Sequence, residues 1–284
     1  MKILKKCTIF FAIFFTASLL TSCASASAEK KSHTEFCSEK FNVAQELYKK
    51  GKYGRTTEKL EEILSLCAGT GFMEQSQFLL AESYFNLESW IEARGEYGSF
   101  VMNFPGSSFI ETAEYRKAVS SFNIEYKISR DESYTLTAIK DFKTYLEDFP
   151  ETALRDSVDY YMSELQERSA EKEFQTARLY MRMNKPQATV IYLKEFMENY
   201  KNSKRIQEAT FMISQAYTEL EQFDEARSYL DIARQQMNAD DKKLQQLLEA
   251  TEKKIAKAEA NFEKKLKKDS ETKRVEKEEL QMLN

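Results

Sequence analysis

This 284-residue chain has few side chains able to do covalent, acid–base or metal chemistry: four cysteines, one histidine and a scatter of carboxylates. A Ser–His or Cys–His nucleophile needs an imidazole to take the proton, and most zinc sites need imidazole or several thiolates. The single histidine, His33, stands in the small, polar stretch "ASASAEKKSHTE" at 24–35. No glycine-rich loop is present to cradle a phosphate. Adjacent carboxylates such as Glu61 and Glu62 diverge on a helix, where residues three or four apart share a face. The sequence reads as that of a non-enzyme with no catalytic residues, no metal site and no cofactor. The chemistry that remains belongs to the thiols.

Cys23 ends a recognisable order of segments. Lys2, Lys5 and Lys6 are followed by the apolar run Thr8–Leu20, too short to span a bilayer and suited to a secretory signal. Leu20-Thr21-Ser22-Cys23 resembles the bacterial lipobox: an aliphatic residue, two small residues and the cysteine that takes lipid. The reading is a signal peptide at 1–22, cut before Cys23, with a diacylglyceryl group on the thiol and a further acyl chain of the palmitate kind. Two or more acyl chains hold a protein stably on a membrane. Ala24, where Asp would retain the protein in the inner membrane, points to the periplasmic face of the outer membrane. The competing reading is an ordinary signal peptide, cut after Ala26-Ser27-Ala28. Residues 23–35 form the lipidated, flexible tether.

Removing residues 1–22 takes away three lysines and no acids, moving the formal net charge from −4 to −7. Nucleic-acid binding needs a basic footprint, so that class of partner is excluded. Seven glycines and three prolines are too few for the turns of an all-β fold, and the long stretches rich in Glu, Lys, Leu, Ala and Gln favour helix.

Internal self-similarity decides the architecture. Ala81, Tyr84, Ala93, Tyr97, Phe100 and Pro105 sit at the spacings of a tetratricopeptide (TPR) repeat. Small residues let two antiparallel helices cross closely, aromatics fill beside the crossing, and proline stops the second helix. Ala138, Phe142, Tyr145 and Pro150 repeat the frame. So do Ala177, Tyr180, Thr189, Leu193 and Phe196, then Ser214, Tyr217, Ala226 and Leu230, with Gln45, Tyr48 and Thr57 as a weaker first copy. Helix ends rhyme as "NFPGS", "DFPET" and "NYKNS". The expected fold is an all-α, TPR-like α-solenoid of about five helix pairs at 36–238, with a charged, coiled-coil-like helical extension at 239–284. Between Ala118 and Ala138 the frame carries eight extra residues, around Ile128 to Thr135. Ala153 to Asn184 reads as one long helix, or as two with a break near Glu167 to Ala170.

Three features of this frame bear on function. The first helix of each TPR pair lines the concave face, so Asn42, Glu46 and Lys49 from repeat one, and Phe78, Glu82 and Phe85 from repeat two, form a candidate groove for an extended peptide. The competing reading packs Phe78 and Phe85 against neighbouring helices. Cys37 near the start of the first helix and Cys67 near the end of the second fall at neighbouring ends of an antiparallel pair. In an oxidising compartment they are expected to form a disulfide, the alternative being two small buried residues. From Asp241 on, Leu244, Leu248, Thr251, Ile255, Ala258, Phe262 and Leu266 step by threes and fours. That stripe packs on another chain, or the helix projects into solvent and recruits a partner.

Lipobox, tether, five repeats and the aromatic-Pro-x-Ser/Thr helix ends together resemble the BamD family, lipoproteins of the outer-membrane β-barrel assembly machine. The resemblance covers about Phe36 to Met237 and is densest over "SRDESYTLTAIKDFKTYLEDFPET", Ser129 to Thr152. It implies a scaffold under the outer membrane that binds the barrel protein BamA, other assembly lipoproteins and unfolded barrel-protein segments. In it the front repeats meet substrate tails and the back repeats meet BamA. In the second helix of the fourth repeat the family places an arginine that meets BamA, and Tyr192 stands there in this chain. The alternative function is that of another TPR lipoprotein serving an envelope or cell-division complex.

Overall fold

The computed structural model describes residues 33–128, 132–235 and 242–282. The expected signal peptide, Cys23 and the tether to residue 32 lie outside the described residues, as does part of the expected insertion, 129–131. The described residues are helices joined by short turns, with no strand among them. Helix α1 spans 33–49. Then follow α2 (Tyr53–Leu66), α3 (Met73–Asn86), α4 (Trp90–Asn103), α5 (Ile110–Ile128), α6 (Glu132–Asp148), α7 (Arg155–Arg182), α8 (Pro186–Asn199), α9 (Ile206–Glu219), α10 (Phe223–Gln235) and α11 (Lys242–Met282). The helices α1 to α10 succeed one another as five TPR-like pairs, so the all-α, TPR-like class read from the sequence is the class observed. The expected boundary at 238/239 falls in 236–241, outside the described residues.

Two kinds of turn explain why the chain reverses where it does. Within four of the pairs the turn holds one residue at positive φ: Gly51 (70°), Glu88 (55°), Asn184 (54°) and Glu221 (61°). In each, the next residue's N–H returns to the carbonyl five back: Lys52 to Leu47, Ser89 to Tyr84, Lys185 to Tyr180 and Gln222 to Tyr217. This is the Schellman closure, which satisfies carbonyls left open at a helix end. Between pairs, the rhyming segments do the work. Phe104, Phe149 and Tyr200 donate back to Phe100, Tyr145 and Phe196, ending each second helix. The hydroxyls of Ser107, Thr152 and Ser203 then accept the N–H two residues on, at 3.1 Å in all three cases, and start the next pair. The same hydroxyls donate to Glu74 (2.6 Å), Glu111 (2.8 Å) and Glu167 (3.2 Å), each on the first helix of the pair just completed.

The core follows the frame. Ala81, Ala93, Ala138, Ala177, Ser214 and Ala226 have no exposed surface, and Tyr97, Phe100, Phe142, Tyr145 and Phe196 are fully buried beside them. Truncating one of these rings to alanine costs about 3–5 kcal/mol. Cys37 and Cys67 are joined as a disulfide, their Cα atoms 5.9 Å apart. It lies in a cluster with Phe41, Ala44, Leu60, Ile63 and Leu80. Lys40 and Glu62 pair at 2.6 Å along the same two helices.

The chain divides into two compact units, Met1–Met162 and Ser163–Asn284, and the division falls inside α7. That helix runs from Arg155 to Arg182 without a break at 167–170. In the second unit the apolar stripe of α11 packs on its own chain as far as Phe262, which neither reading expected, and beyond it, where Leu266 is 52% exposed, the helix stands in solvent as the second reading has it. Leu248, Thr251 and Ile255 are buried (5%, 2% and 2% exposed) in the core of this unit, and Phe262 packs 5.8 Å from Phe223. Arg227 pairs with Glu259 and Arg234 with Glu252. The stripe up to Phe262 is thus covered by α9 and α10 of its own chain, because an outer face of the last pair would otherwise meet water.

Candidate functional site

In the first unit, the first helices of successive pairs are α1, α3 and α5, and one carboxylate ties them together. Glu82 on α3 is 7% exposed. It accepts the hydroxyl of Tyr97 at 2.6 Å, the hydroxyl of Tyr48 on α1 at 3.4 Å, and a guanidinium N–H of Arg116 on α5. Asn86, one turn on from Glu82, donates to the Tyr48 oxygen (3.2 Å) and to the Glu82 carbonyl (2.7 Å). Burial, then the Glu82 charge, pushes the Tyr97 and Tyr48 hydroxyls above the usual phenol range. Burial works against the Arg116 charge, but Glu82 and Tyr97 outweigh it and hold the guanidinium more firmly protonated. A buried carboxylate is tolerated here because a cation and two hydroxyls meet it.

The six residues expected to form a groove separate into two kinds. Asn42, Glu46 and Lys49 lie on one stripe of α1 and are exposed, with Glu46 3.4 Å from Lys49 and 3.8 Å from Lys50. Phe78, Glu82 and Phe85 occupy the matching stripe of α3, but most of their surface is spent on packing. Phe78 stacks on Phe109 (4.7 Å) and meets Phe100 (5.3 Å). Phe85 meets Trp90 edge-on at 5.2 Å, and the Arg116 guanidinium lies over its ring at 5.1 Å. Both rings remain half-exposed, and Phe109 is 40% exposed. Tyr48, from outside the expected triad, is the α1 side chain that hydrogen-bonds with Glu82 and Asn86 of α3. Of the six, the polar stripe of α1 is therefore exposed, while Phe78 and Phe85 are half-buried beside Phe109.

A second polar knot lies in the same unit. Arg94 on α4 donates through Nε to Ser121 (2.7 Å) and Asp141 (2.9 Å), and Ser121 donates to Asp141 at 2.5 Å. Asp141 is 7% exposed. Arg94 and Ser121 of this knot line a cleft of about 490 Å³ together with Ile91, Ile124 and Tyr134. Tyr48, Tyr97, Arg116, Arg94 and Asp141 were not singled out for these roles from the sequence. Tyr48 and Tyr97 carried a signal, since both are frame aromatics, but their hydroxyl directions are set by tertiary packing.

In the second unit, Tyr192 on α8 stacks on Tyr180 of α7 at 4.7 Å. Tyr192 is 39% exposed, and Leu179, Met183 and Ile191 of the same hairpin are exposed as well. Among the described residues no three His, Cys, Asp or Glu side chains are grouped to hold a metal. No helix among them is long and apolar enough to cross a membrane.

Comparison with known proteins gives a consistent result. The YfiO family model, described as outer membrane lipoprotein, matches residues 34–231. The chain is 24% identical over 192 residues to the outer membrane protein assembly factor BamD of Rickettsia prowazekii (strain Madrid E), covering 68% of this chain and 76% of that protein. It is 20% identical over 178 residues to BamD of Caulobacter vibrioides, covering 63% of this chain and 58% of that protein. Among solved structures, the TPR2AB-domain:pHSP90 complex of yeast Sti1 is 13% identical with a TM-score of 0.41, covering 70% of this chain and 76% of that one.

Proposed function

The chain belongs to the YfiO family of outer membrane lipoproteins, and from that premise we propose that it is a lipid-anchored scaffold that helps assemble β-barrel proteins. Cys23 carries the lipid and holds the chain on the periplasmic face of the outer membrane. The first unit receives extended, unfolded barrel-protein segments along α1 and α3. The second unit receives a BamA-like barrel protein on the α7–α8 hairpin, with other assembly lipoproteins nearby. No cofactor takes part.

The observation that carries this reading is the face formed by the first helices of the pairs in the first unit, α1, α3 and α5. Glu82, Tyr48 and Arg116 hold α1, α3 and α5 in fixed register. The polar stripe Asn42, Glu46 and Lys49 is exposed on α1, and the rings of Phe78 and Phe85 on α3 are half-buried. Polar groups for a peptide backbone next to aromatic edges for its side chains suit an extended ligand. Two experiments test the two halves. Purification of the chain from detergent-solubilised envelopes is expected to bring a BamA-like barrel as the main partner; its absence would refute the assembly role. The variant Asn42→Ala, Glu46→Lys, Lys49→Glu is expected to lose affinity for an extended barrel-strand peptide, and unchanged affinity would refute the groove. One observation favours the second reading, a TPR lipoprotein of an envelope or cell-division complex. Tyr192, stacked on Tyr180, occupies the position where the family resemblance calls for an arginine.

A further inference from the structure

Helix α1 begins at His33, ten residues after Cys23. Ten residues of chain span at most about 36 Å when fully extended. With lipid on Cys23, the start of the first hairpin therefore stays within that distance of the bilayer surface. The hairpin carries three apolar side chains near this point with much of their surface in water: Phe36 (43% exposed), Val43 (51%) and Leu66 (50%). Phe36 and Val43 are seven residues apart, two turns of α1, and so share one stripe. Lys40 stands between them, its ammonium 4.9 Å from the centre of the Phe36 ring and 2.6 Å from Glu62 of α2. Leu66 follows Glu62 by one turn on the same side of α2. The contact through Lys40 thus brings both stripes to one outward side. The Cys37–Cys67 disulfide, next in sequence to Phe36 and Leu66, ties the two helices together there.

We propose that this side of the first hairpin rests on the interfacial layer of the membrane that holds the anchor, an inference that itself rests on the lipid at Cys23. Three side chains are too few to hold a free protein on a bilayer. The anchor makes the contact intramolecular and raises its effective concentration, so a weak apolar contact is enough. The charges between these residues neutralise one another, since Lys40 and Lys59 both meet Glu62, at 2.6 and 3.3 Å. The contact is therefore apolar, at the level where headgroups meet acyl chains. A second copy of the chain fits less well, because a stable interface covers about 800 Å² on each partner, more than three half-exposed side chains supply. The polar stripe Asn42, Glu46 and Lys49 lies roughly 80–140° further round α1 from Phe36. Docking through Phe36, Val43 and Leu66 thus leaves that stripe open and fixes its orientation to the membrane.

The test uses the full, lipid-anchored chain in phosphatidylethanolamine–phosphatidylglycerol vesicles whose acyl chains carry bromine, which quenches nearby indoles. Trp90→Phe removes the single tryptophan, and Phe36→Trp or Leu87→Trp then supplies one reporter. Leu87 is 42% exposed and follows the last residue of α3, about 21 Å along that helix from the turn after Leu66. The indole of Phe36→Trp is expected to be quenched at least about two-fold more than that of Leu87→Trp. Adding Val43→Glu and Leu66→Glu is expected to bring it to the Leu87→Trp level, with helicity unchanged by circular dichroism. Equal quenching at the two positions, or quenching indifferent to the added substitutions, overturns the proposal in a chain that floats with the vesicles. A chain that does not float refutes the lipid on Cys23 and the proposal together. Loss of solvent exposure at Phe36→Trp that follows protein density, without quenching by bromine, also overturns it, in favour of a second copy of the chain.

Discussion

Replacing Arg116 by methionine isolates the contribution of the buried carboxylate at the centre of the first unit. Methionine keeps most of the apolar stem beside Phe85 and removes the guanidinium. Glu82 then keeps the Tyr97 and Tyr48 hydroxyls but loses the cation that faces it. Removing one member of a fully buried pair costs about 3–5 kcal/mol, and an exposed pair contributes about 0–1 kcal/mol. The Glu82 side chain is 10% exposed and that of Arg116 33%. The pair falls between those limits, and with screening of the exposed side the expected cost is about 2–3 kcal/mol. For a unit of this size that lowers Tm by about 8–12 °C. Trp90 is the single tryptophan of the chain and touches Phe85, so its fluorescence in urea reports this unit. Adding Glu82→Gln to Arg116→Met removes the stranded charge and is expected to restore at least about 1 kcal/mol relative to Arg116→Met alone. A loss below about 0.5 kcal/mol for the single variant, or a double variant no more stable than it, would refute the reasoning.

The remaining predictions concern other parts of the frame. Glu114 is 6% exposed with its Oε2 unmet by any described donor, and burial, opposed by Lys117 and reinforced by Asp148, raises its carboxyl above 4.5. A raised carboxyl contributes stability below its unfolded value that is lost as pH rises through its folded value. Glu114→Gln is therefore expected to be more stable than the parent at pH 7, with the margin gone by about pH 4, as read from urea midpoints. Mass spectrometry of the unreduced chain is expected to find no free thiol at Cys37 or Cys67, and Cys37→Ser, Cys67→Ser to cost about 3–4 kcal/mol in the same urea assay. Glu221 sits at φ 61°, where a side chain costs about 1–2 kcal/mol that glycine avoids, less glycine's own entropy. Glu221→Gly should stabilise the second unit by about 0.5–1 kcal/mol by circular dichroism in urea.

The packing frame was legible because its residue types answer to sterics alone. An alanine where two helices cross and an aromatic beside it read the same in one dimension as in three, and Ala81, Ala93, Tyr97 and Phe100 are all fully buried. The rhyme of "NFPGS", "DFPET" and "NYKNS" was visible as a pattern. Its mechanism, a hydroxyl that starts one helix and donates to a glutamate on an earlier one, needs coordinates. Glu82 shows the opposite limit. A TPR frame gives its direction, and the same direction serves either a ligand or a neighbouring Arg116, whose approach depends on how far α5 shifts against α3. The cover of the α11 stripe as far as Phe262 was missed for a related reason. A heptad pattern states that a face is covered, and its spacing is the same whether the cover is another chain or α9 and α10.

These limits bear on how a TPR array with few chemical groups acquires selectivity. Among the described residues most of the interior polar networks are committed, Glu114 being an exception: Glu82 to three donors on α1, α4 and α5, Asp141 to Arg94 and Ser121, and Glu74, Glu111 and Glu167 to the hydroxyls that start the following pairs. Satisfied buried networks fix geometry and leave little to offer a ligand. Under the proposed function, discrimination is expected from groups that the frame leaves outside, which in the first unit include Asn42, Glu46 and Lys49 with the edges of Phe78, Phe85 and Phe109. In the second unit they include Leu179, Met183, Ile191 and Tyr192 of the α7–α8 hairpin. One set is polar with aromatic edges and the other is apolar, so the two units present different chemistry to whatever they meet. Substitutions in the outer sets should change binding at constant stability, and substitutions in the inner networks should change stability first. That separation follows from burial, and it holds whichever partner proves to be the right one.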